Sequence, residues 1–285
     1  MEKIGEGGEA EVFALDHARV LRRFRIDHPS IPRRIDLMRA VEHGARDLDV
    51  DVPQLLDHGV GDDGHPWFVE RRLPGRSMTE ALADVTGTQR RRLFESYLET
   101  AHALRRIDYT ADEFGELITE DPLRSPTWSG YLLSALDRQL GACDRSAYPE
   151  LTDLDPRVAD IRRETGRLDL AQPSLVHFDY FPGNVMCDDH RITAVIDWSV
   201  LAIAGDPDLD VALAVAYLGV TPTADEGDAA FCRAWLADRG LANTADLYER
   251  WAATWWLPLD GDPKIRTWVA SVLSRPSGDP TRTGG

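Results

Sequence analysis

The stretch "HFDYFPGNV", residues 177–185, decides how the fold of this chain is interpreted. It places Asp179 two residues after His177 and Asn184 five residues after Asp179, around a Pro-Gly pair at 182–183. Proline and glycine interrupt both helices and strands, so we expect a loop here. A carboxylate and a carboxamide held on one loop are candidates for binding or catalysis.

Two short β-branched segments follow this loop, "NVMC" and "ITAVIDW", with "DDHR" as the turn between them. Asn184 stands at the start of the first segment and Asp197 at the end of the second. A hairpin would therefore bring both side chains back toward Asp179. Oxygen ligands without histidine or cysteine suit Mg²⁺, which completes its shell with water and phosphate oxygens. Asp179 would then be free to orient and deprotonate a hydroxyl.

The pattern of His177, Asp179 and Asn184, followed by "VIDWSVLAIAGDPDLD", resembles the aminoglycoside phosphotransferase and choline-kinase-like superfamily. These proteins are small-molecule kinases with a protein-kinase-like fold. The resemblance implies that Asp179 is the catalytic carboxylate and that His177 braces its loop. It also implies that Asn184 and Asp197 are metal ligands. The aspartates expected to cap a helix and brace the loop are Asp206, Asp208 and Asp210.

A glycine-rich segment, "IGEGGEAEV", occupies residues 4–12. The glycines expected to let backbone amides approach phosphates are Gly5, Gly7 and Gly8. Val12 follows where such a loop returns to its strand, whereas Ala10 occupies the third glycine position of the kinase pattern. A dinucleotide-binding fold is not expected, because only three residues precede the segment here and its fingerprint must follow a buried strand. The chain has no GK[ST] motif, which excludes a P-loop.

The resemblance also identifies a phosphate-binding cation. In the family a lysine on the third strand reaches the α- and β-phosphates and is held by a helix glutamate. The matching position here is Arg22, whose guanidinium differs from a lysine in shape and hydration. Asp36 and Glu42 on the following helix are both available as its acidic partner.

Residues 67–75, "WFVERRLPG", resemble the family's hinge. Backbone groups near Val69, Glu70 and Arg71 would hydrogen-bond a purine there. Because backbone atoms would do the recognition, ATP and GTP are not distinguished. With the glycine-rich segment and the catalytic motifs, the resemblance covers most of residues 4–211.

The predicted fold class is α+β, a protein-kinase-like bilobal fold with a small β-sheet N-lobe and a larger, mainly helical C-lobe. Residues 1–73 are predicted to be the nucleotide-binding lobe, with one helix beside the sheet. Residues 74–275 are predicted to be the helical catalytic and substrate lobe, apart from short strands around residues 174–198. The polar tail at 276–285 is expected to be disordered.

Charge and composition limit the classes of binding partner and the compartment that we expect for this protein. The net charge is −17; residues 1–75 carry 15 acidic and 11 basic side chains, and residues 76–285 carry 34 and 21. Nucleic acid is therefore not expected as a partner. The longest apolar run, residues 211–220, is too short to span a bilayer, and the N-terminus has no signal-peptide pattern. Three scattered cysteines without CxxC spacing fit a cytoplasmic protein.

The acceptor is expected to be a small molecule. Only eight residues, 198–205, separate Asp197 from the "DPDLD" segment, which leaves no room for the activation segment of a protein kinase. The acidic second part favours a cationic acceptor, so the first hypothesis is an antibiotic-resistance kinase acting on an aminoglycoside with ATP or GTP and Mg²⁺. The acidic side chains considered for acceptor binding are Asp246, Glu249, Asp260 and Asp262.

Two alternatives remain open at this point. One keeps the fold and changes the acceptor to a metabolite such as homoserine, choline or methylthioribose. The other is a non-catalytic nucleotide-binding pseudokinase, which Arg22 and Ala10 suggest because both depart from the kinase pattern. The hydroxyl that is phosphorylated and the oligomeric state do not follow from the sequence.

Overall fold

The computed structural model describes residues 1–25, 30–259 and 261–275. Its N-terminal part contains an antiparallel sheet of five strands in the order β1-β2-β3-β5-β4. The strands are β1 (Glu2–Glu6), β2 (Ala10–Ala14), β3 (Arg19–Phe24), β4 (Leu55–Val60) and β5 (Pro66–Arg71). The glycine turn at residues 7–9 separates β1 from β2. Together with β3 these strands form a three-stranded antiparallel meander.

One helix, α1 (Ile31–Gly44), packs beside this sheet, as the helical spacing predicted. A proline lies in its first turn, where the missing amide hydrogen costs nothing. Ile35 and Met38 of α1 form a small core with Phe24 and Phe68 of the sheet. Leu37 and two further apolar residues of this segment instead join the larger core of the C-terminal part. The helix therefore contacts both hydrophobic cores, which places its side chains at the junction of the two parts.

The C-terminal part is mainly helical, as predicted. Its helices are α2 (Met78–Ala81), α3 (Gly87–Ala103), α4 (Trp128–Ala142), α5 (Leu154–Thr165), α6 (Asp208–Ala216), α7 (Glu226–Asp238), α8 (Ala242–Trp255) and α9 (Pro263–Ser274). The apolar faces of α3 and α4 are buried. Helix α6 is buried over almost its whole length, and Asp210 is the carboxylate within that buried stretch. A charge at the centre of a core needs close polar partners, and for Asp210 these are backbone amides of the loop that starts at His177.

Short strands complete the C-terminal part. They are β6 (Arg76–Ser77), β7 (Phe114–Glu116), β8 (Arg124–Ser125), β9 (Ser174–Val176), β10 (Val185–Cys187), β11 (Ile192–Val195) and β12 (Ile203–Gly205). They form two sheets, with the orders β11-β10-β6 and β8-β7-β12-β9. The predicted hairpin after the catalytic loop is confirmed, since Val185 pairs with Val195 across β10 and β11. The strand β9 also lies within residues 174–198, where short strands are predicted. The strands β6, β7, β8 and β12 lack a detectable pattern because two or three residues show no periodicity.

The lobe boundary at residues 73–74 stays a prediction. The predicted tail at 276–285 and Asp260 lie outside the described residues. Among the helices that the structure describes, none combines the length and the apolar character needed to cross a bilayer.

Candidate active site

The predicted catalytic loop runs between β9 and a short 3₁₀ turn at Pro182–Asn184. Asp210 of α6 holds the start of this loop. Its Oδ2 accepts a hydrogen bond from the amide nitrogen of His177 and its Oδ1 one from that of Phe178, both at 2.8 Å. Phe178 has a φ of 67°, a left-handed conformation that is unfavourable for a residue with a side chain. The two hydrogen bonds to Asp210 stabilise this conformation, which confirms the predicted loop bracing.

The neighbouring aspartates fix the start of α6. Asp206 Oδ1 accepts a hydrogen bond from the amide of Asp208 at 2.9 Å, which satisfies one of the free amides at the helix start. The other Asp206 oxygen accepts from the hydroxyl of Tyr248 at 2.5 Å. Asp208 itself forms an ion pair with Arg105 at 2.5 Å. The predicted capping role is therefore confirmed for Asp206, and the segment ties α6 to α8.

His177 connects the loop to the chain that carries Asp197. Its ring is fully buried, and its Nε2 lies 2.8 Å from the carbonyl oxygen of Ile196, the residue before Asp197. Nε2 therefore carries the proton and donates it in this hydrogen bond. Burial lowers the pKa of His177, so the ring is neutral. The ring also packs 4.6 Å from that of Trp198. These contacts suit a bracing side chain rather than a proton carrier.

Asp179 and Asn184 are in direct contact. Nδ2 of Asn184 donates to Oδ2 of Asp179 at 2.9 Å and to its backbone carbonyl at 3.0 Å. Burial raises the pKa of Asp179 to about 7, the negative charge of Asp197 adds to this rise, and the hydrogen bond from Asn184 opposes it. A carboxylate with a pKa near neutrality is suited to accept a proton from a hydroxyl.

Asp197 faces two arginines. Its Oδ1 lies 3.1 Å from Nη1 of Arg22 and 3.4 Å from Nη2 of Arg34. Burial disfavours its charge, but the two guanidinium groups outweigh burial and lower the pKa of Asp197. Asp197 also has a left-handed φ of 62°. The cavity beside this cluster is lined by Arg22, Arg34, Met38, Pro53, Glu70, Asp197 and Trp198.

The expectation that Arg22 pairs with Asp36 or Glu42 of α1 is wrong. Nε of Arg22 donates to Oε1 of Glu70 on β5 at 3.0 Å, and the described carboxylates that pair with Arg22 are Glu70 and Asp197. Asp36 is exposed on α1 and Glu42 is half-buried, and neither is among the described partners of Arg22. The residue that α1 directs to the site is instead a cation, Arg34. Strand pairing of β3 with β5 brings Glu70 next to Arg22.

The predicted phosphate-binding glycines lie at the first turn of the sheet. Gly5 pairs with Val12 across β1 and β2. The amide of Gly7 donates to the carbonyl of Ala10 at 3.0 Å, which closes the turn. A Cβ built at Gly7 or Gly8 would have no described atom within 4 Å. The turn is therefore open, and its role in binding phosphate stays a prediction.

The predicted hinge residues lie inside β5, between β3 and β4. Part of their hydrogen-bonding capacity is used in the sheet, since the amide of Arg71 donates to the carbonyl of Gln54 at 3.0 Å. The side chain of Glu70 is occupied by Arg22. Purine binding near Val69, Glu70 and Arg71 stays a prediction, and the amide of Arg71 is not free to contribute to it.

The donor set fits a hard divalent cation. Because Nδ2 of Asn184 faces Asp179, the carboxamide oxygen of Asn184 is the atom that could bind a cation. The charge of Asp197 adds to the rise in the pKa of Asp179, and a cation bound beside the two carboxylates would offset their repulsion. Within residues 1–25, 30–259 and 261–275, no three His, Cys, Asp or Glu side chains are grouped to hold a metal. The protein would thus supply few ligands, as is usual for Mg²⁺ bound together with phosphate oxygens.

Two charged residues of this site, Arg34 and Glu9, were not predicted from the sequence. Arg34 could have been found, because it shares the buried stripe of α1 with Leu37, Met38 and Val41. An arginine within an apolar helical face needs buried partners. Glu9 gives no comparable signal, since an exposed glutamate in a turn is common.

Comparison with known proteins places the chain among phosphotransferases. The profile described as "Phosphotransferase enzyme family" matches residues 1–252. Hygromycin-B 4-O-kinase from Escherichia coli is 27% identical over 169 residues, which are 56% of this chain. That match spans just under half, 46%, of the relative.

Solved structures share the fold across nearly the whole chain. A thermostable mutant of aminoglycoside phosphotransferase APH(4)-Ia, in ternary complex with AMP-PNP and hygromycin B, has a TM-score of 0.71 and 19% identity. The alignment covers 95% of this chain and 91% of that one. The GDP and kanamycin complex of APH(2")-IIia has a TM-score of 0.61 and 16% identity, and covers 96% and 90%. The kinase-like α+β fold is thereby confirmed, and the chain belongs to the phosphotransferase enzyme family.

Proposed function

We propose that this chain is a Mg²⁺-dependent kinase that transfers the γ-phosphate of a nucleoside triphosphate to a hydroxyl of an aminoglycoside-type antibiotic. The observation that carries the proposal is the joint placement of Asp179, Asn184 and Asp197 beside Arg22. A general base, two oxygen ligands and a cation in one cleft are the parts that phosphoryl transfer needs.

The relatives support the nucleotide and the acceptor class. One relative is a hygromycin-B kinase, and the similar structures contain AMP-PNP with hygromycin B or GDP with kanamycin. Because these complexes contain adenine and guanine nucleotides, both ATP and GTP are candidate donors.

The chemistry assigned to the site is direct transfer without a covalent enzyme intermediate. The hydroxyl oxygen of the acceptor would form a bond to the γ-phosphorus, and Asp179 would accept the proton that this hydroxyl loses. The bond from the γ-phosphorus to the bridging oxygen then breaks, and the nucleoside diphosphate leaves with that electron pair. Arg22 would stabilise the phosphate charge. Mg²⁺, held by Asn184 and Asp197, would supply further charge neutralisation.

A small acceptor fits the segment after Asp197. Residues 198–202 lead directly into β12, which lies between β7 and β9, and most of residues 198–205 are buried. A protein kinase uses a long segment at this place to dock its peptide. The acidic balance of the chain, −17 overall, would favour the approach of a cationic acceptor.

The acidic residues first considered for acceptor binding already have structural partners. Asp246 pairs with Arg250 at 2.9 Å, and Glu249 pairs with Arg275 at 3.0 Å. Asp262 caps α9 by accepting from the amide of Lys264 at 2.8 Å. Asp260 lies outside the described residues. None of the first three is therefore preferred as an acceptor ligand.

The experiment is an acceptor screen with purified protein, Mg²⁺ and either ATP or GTP. The panel contains hygromycin B, kanamycin and gentamicin beside homoserine, choline and methylthioribose, and mass spectrometry detects the addition of one phosphoryl group. We expect transfer to an aminoglycoside and none with Asp179→Asn. Transfer to a metabolite alone would favour the metabolic alternative. Nucleotide binding without any transfer would favour the pseudokinase and would contradict the proposal.

A further inference from the structure

An ion pair joins the glycine turn to α1. Nη1 of Arg34 lies 2.6 Å from Oε2 of Glu9, and Nη2 of the same side chain contacts Asp197. The guanidinium also lies 5.1 Å from the ring of Phe24. One buried arginine therefore touches both the turn predicted to bind phosphate and the predicted metal ligand.

Arg34 cannot stay in this position without anionic partners. Its side chain is only 5% exposed, and a buried cation that loses its partner is strongly destabilising. Asp197 is a distant partner at 3.4 Å, so Glu9 at 2.6 Å provides the closer compensation. The Glu9 carboxylate therefore supplies the nearer negative charge for the buried guanidinium of Arg34.

The two arginines differ in how easily their partners can be exchanged. Arg22 pairs with Glu70, whose side chain is 6% exposed, so releasing it would leave an uncompensated buried carboxylate. Glu9 is 45% exposed and belongs to the turn at residues 7–9. Its carboxylate can move into water at little cost. The anion on Arg34 is therefore the replaceable one.

We propose that Arg34 is a second phosphate-binding residue of this site, and that Glu9 occupies its guanidinium until a triphosphate oxygen takes that place. The inference rests on the proposed function and adds a residue to it. Nη1 would pass from Glu9 to the phosphate while Nη2 stays with Asp197. The planar guanidinium suits such a shared contact, because it presents several donors in fixed directions. Arg34 would then occupy the side of the site where the family pattern has a helix glutamate.

The test is calorimetric binding of ATP and ADP, first with EDTA and then with Mg²⁺. Arg34→Gln removes the cation and is expected to weaken metal-free ATP binding about tenfold, the loss typical of one charge-assisted contact. Glu9→Gln removes the competing anion and is expected to tighten the same binding by about threefold or more. A contact that only braced the fold would weaken binding in both variants, which would overturn the proposal.

Control variants distinguish the replacement of Glu9 by phosphate at Arg34 from the general effect of removing a negative charge. Glu11→Gln removes an equal charge from the same hairpin, where Glu11 pairs with Lys3 and not with Arg34. Its effect on affinity is expected to be less than about twofold, as for an exposed ion pair. In the Arg34→Gln background, Glu9→Gln should no longer tighten binding. Tightening that persists there would contradict the exchange.

A second variant keeps the test decisive if Arg34→Gln does not fold. Arg34→Lys retains the positive charge and is expected to keep part of the metal-free affinity for ATP. Glu9→Gln changes an exposed side chain and removes no buried group. Thermal unfolding curves show which variants are folded. If the unmodified protein binds neither nucleotide, the proposed function fails. If it binds both and the Glu9 variant does not bind more tightly, only the role of Arg34 and Glu9 fails.

Discussion

The carboxylate of Asp210 accepts a hydrogen bond from the backbone amide of His177, with 2.8 Å between Oδ2 and the nitrogen. The second oxygen serves the amide of Phe178 at the same distance. Burial raises the pKa of Asp210 to about 7, and these two hydrogen bonds oppose the rise. Helix α6 therefore sets the position of the loop that carries Asp179 through one buried side chain.

Asp210→Ala is expected to destabilise the protein by about 2–5 kcal/mol, because it leaves two buried amides without acceptors. Asp210→Asn keeps one acceptor oxygen and should cost less. Urea unfolding measures the free energy of unfolding. Asp208→Asn is the matched control on the same helix, since its pair with Arg105 is partly exposed and is expected to contribute about 1 kcal/mol or less. Equal losses for the Asp208 and Asp210 variants would contradict a special role for Asp210.

The pH dependence of catalysis follows from Asp179. Its pKa is raised to about 7, so the base is mostly protonated in mildly acidic solution. We expect kcat/KM to increase with pH and to level off above about 7, because this ratio reports the ionisation of the free enzyme. The profile is measured with two acceptors whose amines have different pKa values. A rise in kcat/KM at the same pH for both acceptors comes from the enzyme and not from titration of the acceptor. A limb near pH 4, where a solvated aspartate titrates, would contradict the burial argument.

Asp197→Ala is expected to abolish metal-dependent transfer. It removes one of the two predicted ligands and should also remove the gain in nucleotide affinity that Mg²⁺ provides. Metal-free nucleotide binding should remain, since the positive charges of Arg22 and Arg34 stay available to the phosphates. EDTA should stop transfer by the unmodified protein. Turnover by Asp197→Ala with an unchanged Mg²⁺ requirement would make the metal assignment wrong.

The parts of the site that the sequence predicted are close together along the chain. Asp179 and Asn184 share one loop, and a short hairpin brings Asp197 to them, so local turn chemistry was sufficient. The recurring pattern of these residues also indicated the family and the kinase-like fold. Short-range geometry and motif spacing thus predicted that these three side chains lie near one another, and their catalytic and metal-binding roles stay predictions.

The partners of Arg22 could not be predicted in the same way. Glu70 is 48 residues away from it and Asp197 is 175 residues away. Which acid meets Arg22 depends on the pairing of β3 with β5 and on the face that α1 directs to the sheet. A sequence pattern contains several acids on that helix and does not rank them. Tertiary packing determines the partners of Arg22, and neither Asp36 nor Glu42 of α1 is one of them.

The last prediction separates the two roles of Arg22. Arg22→Met leaves Glu70 buried without its cation and is expected to lower the free energy of unfolding by about 3–5 kcal/mol. The double variant Arg22→Met/Glu70→Leu removes both charges and should recover much of this loss, since apolar replacements of buried pairs are often tolerated. Both variants should raise the apparent KM for nucleotide about tenfold or more, because the phosphate contact is absent in each. Recovery of stability without recovery of KM would indicate that Arg22 both pairs with Glu70 and binds phosphate. A double variant with normal KM would instead limit Arg22 to a structural ion pair.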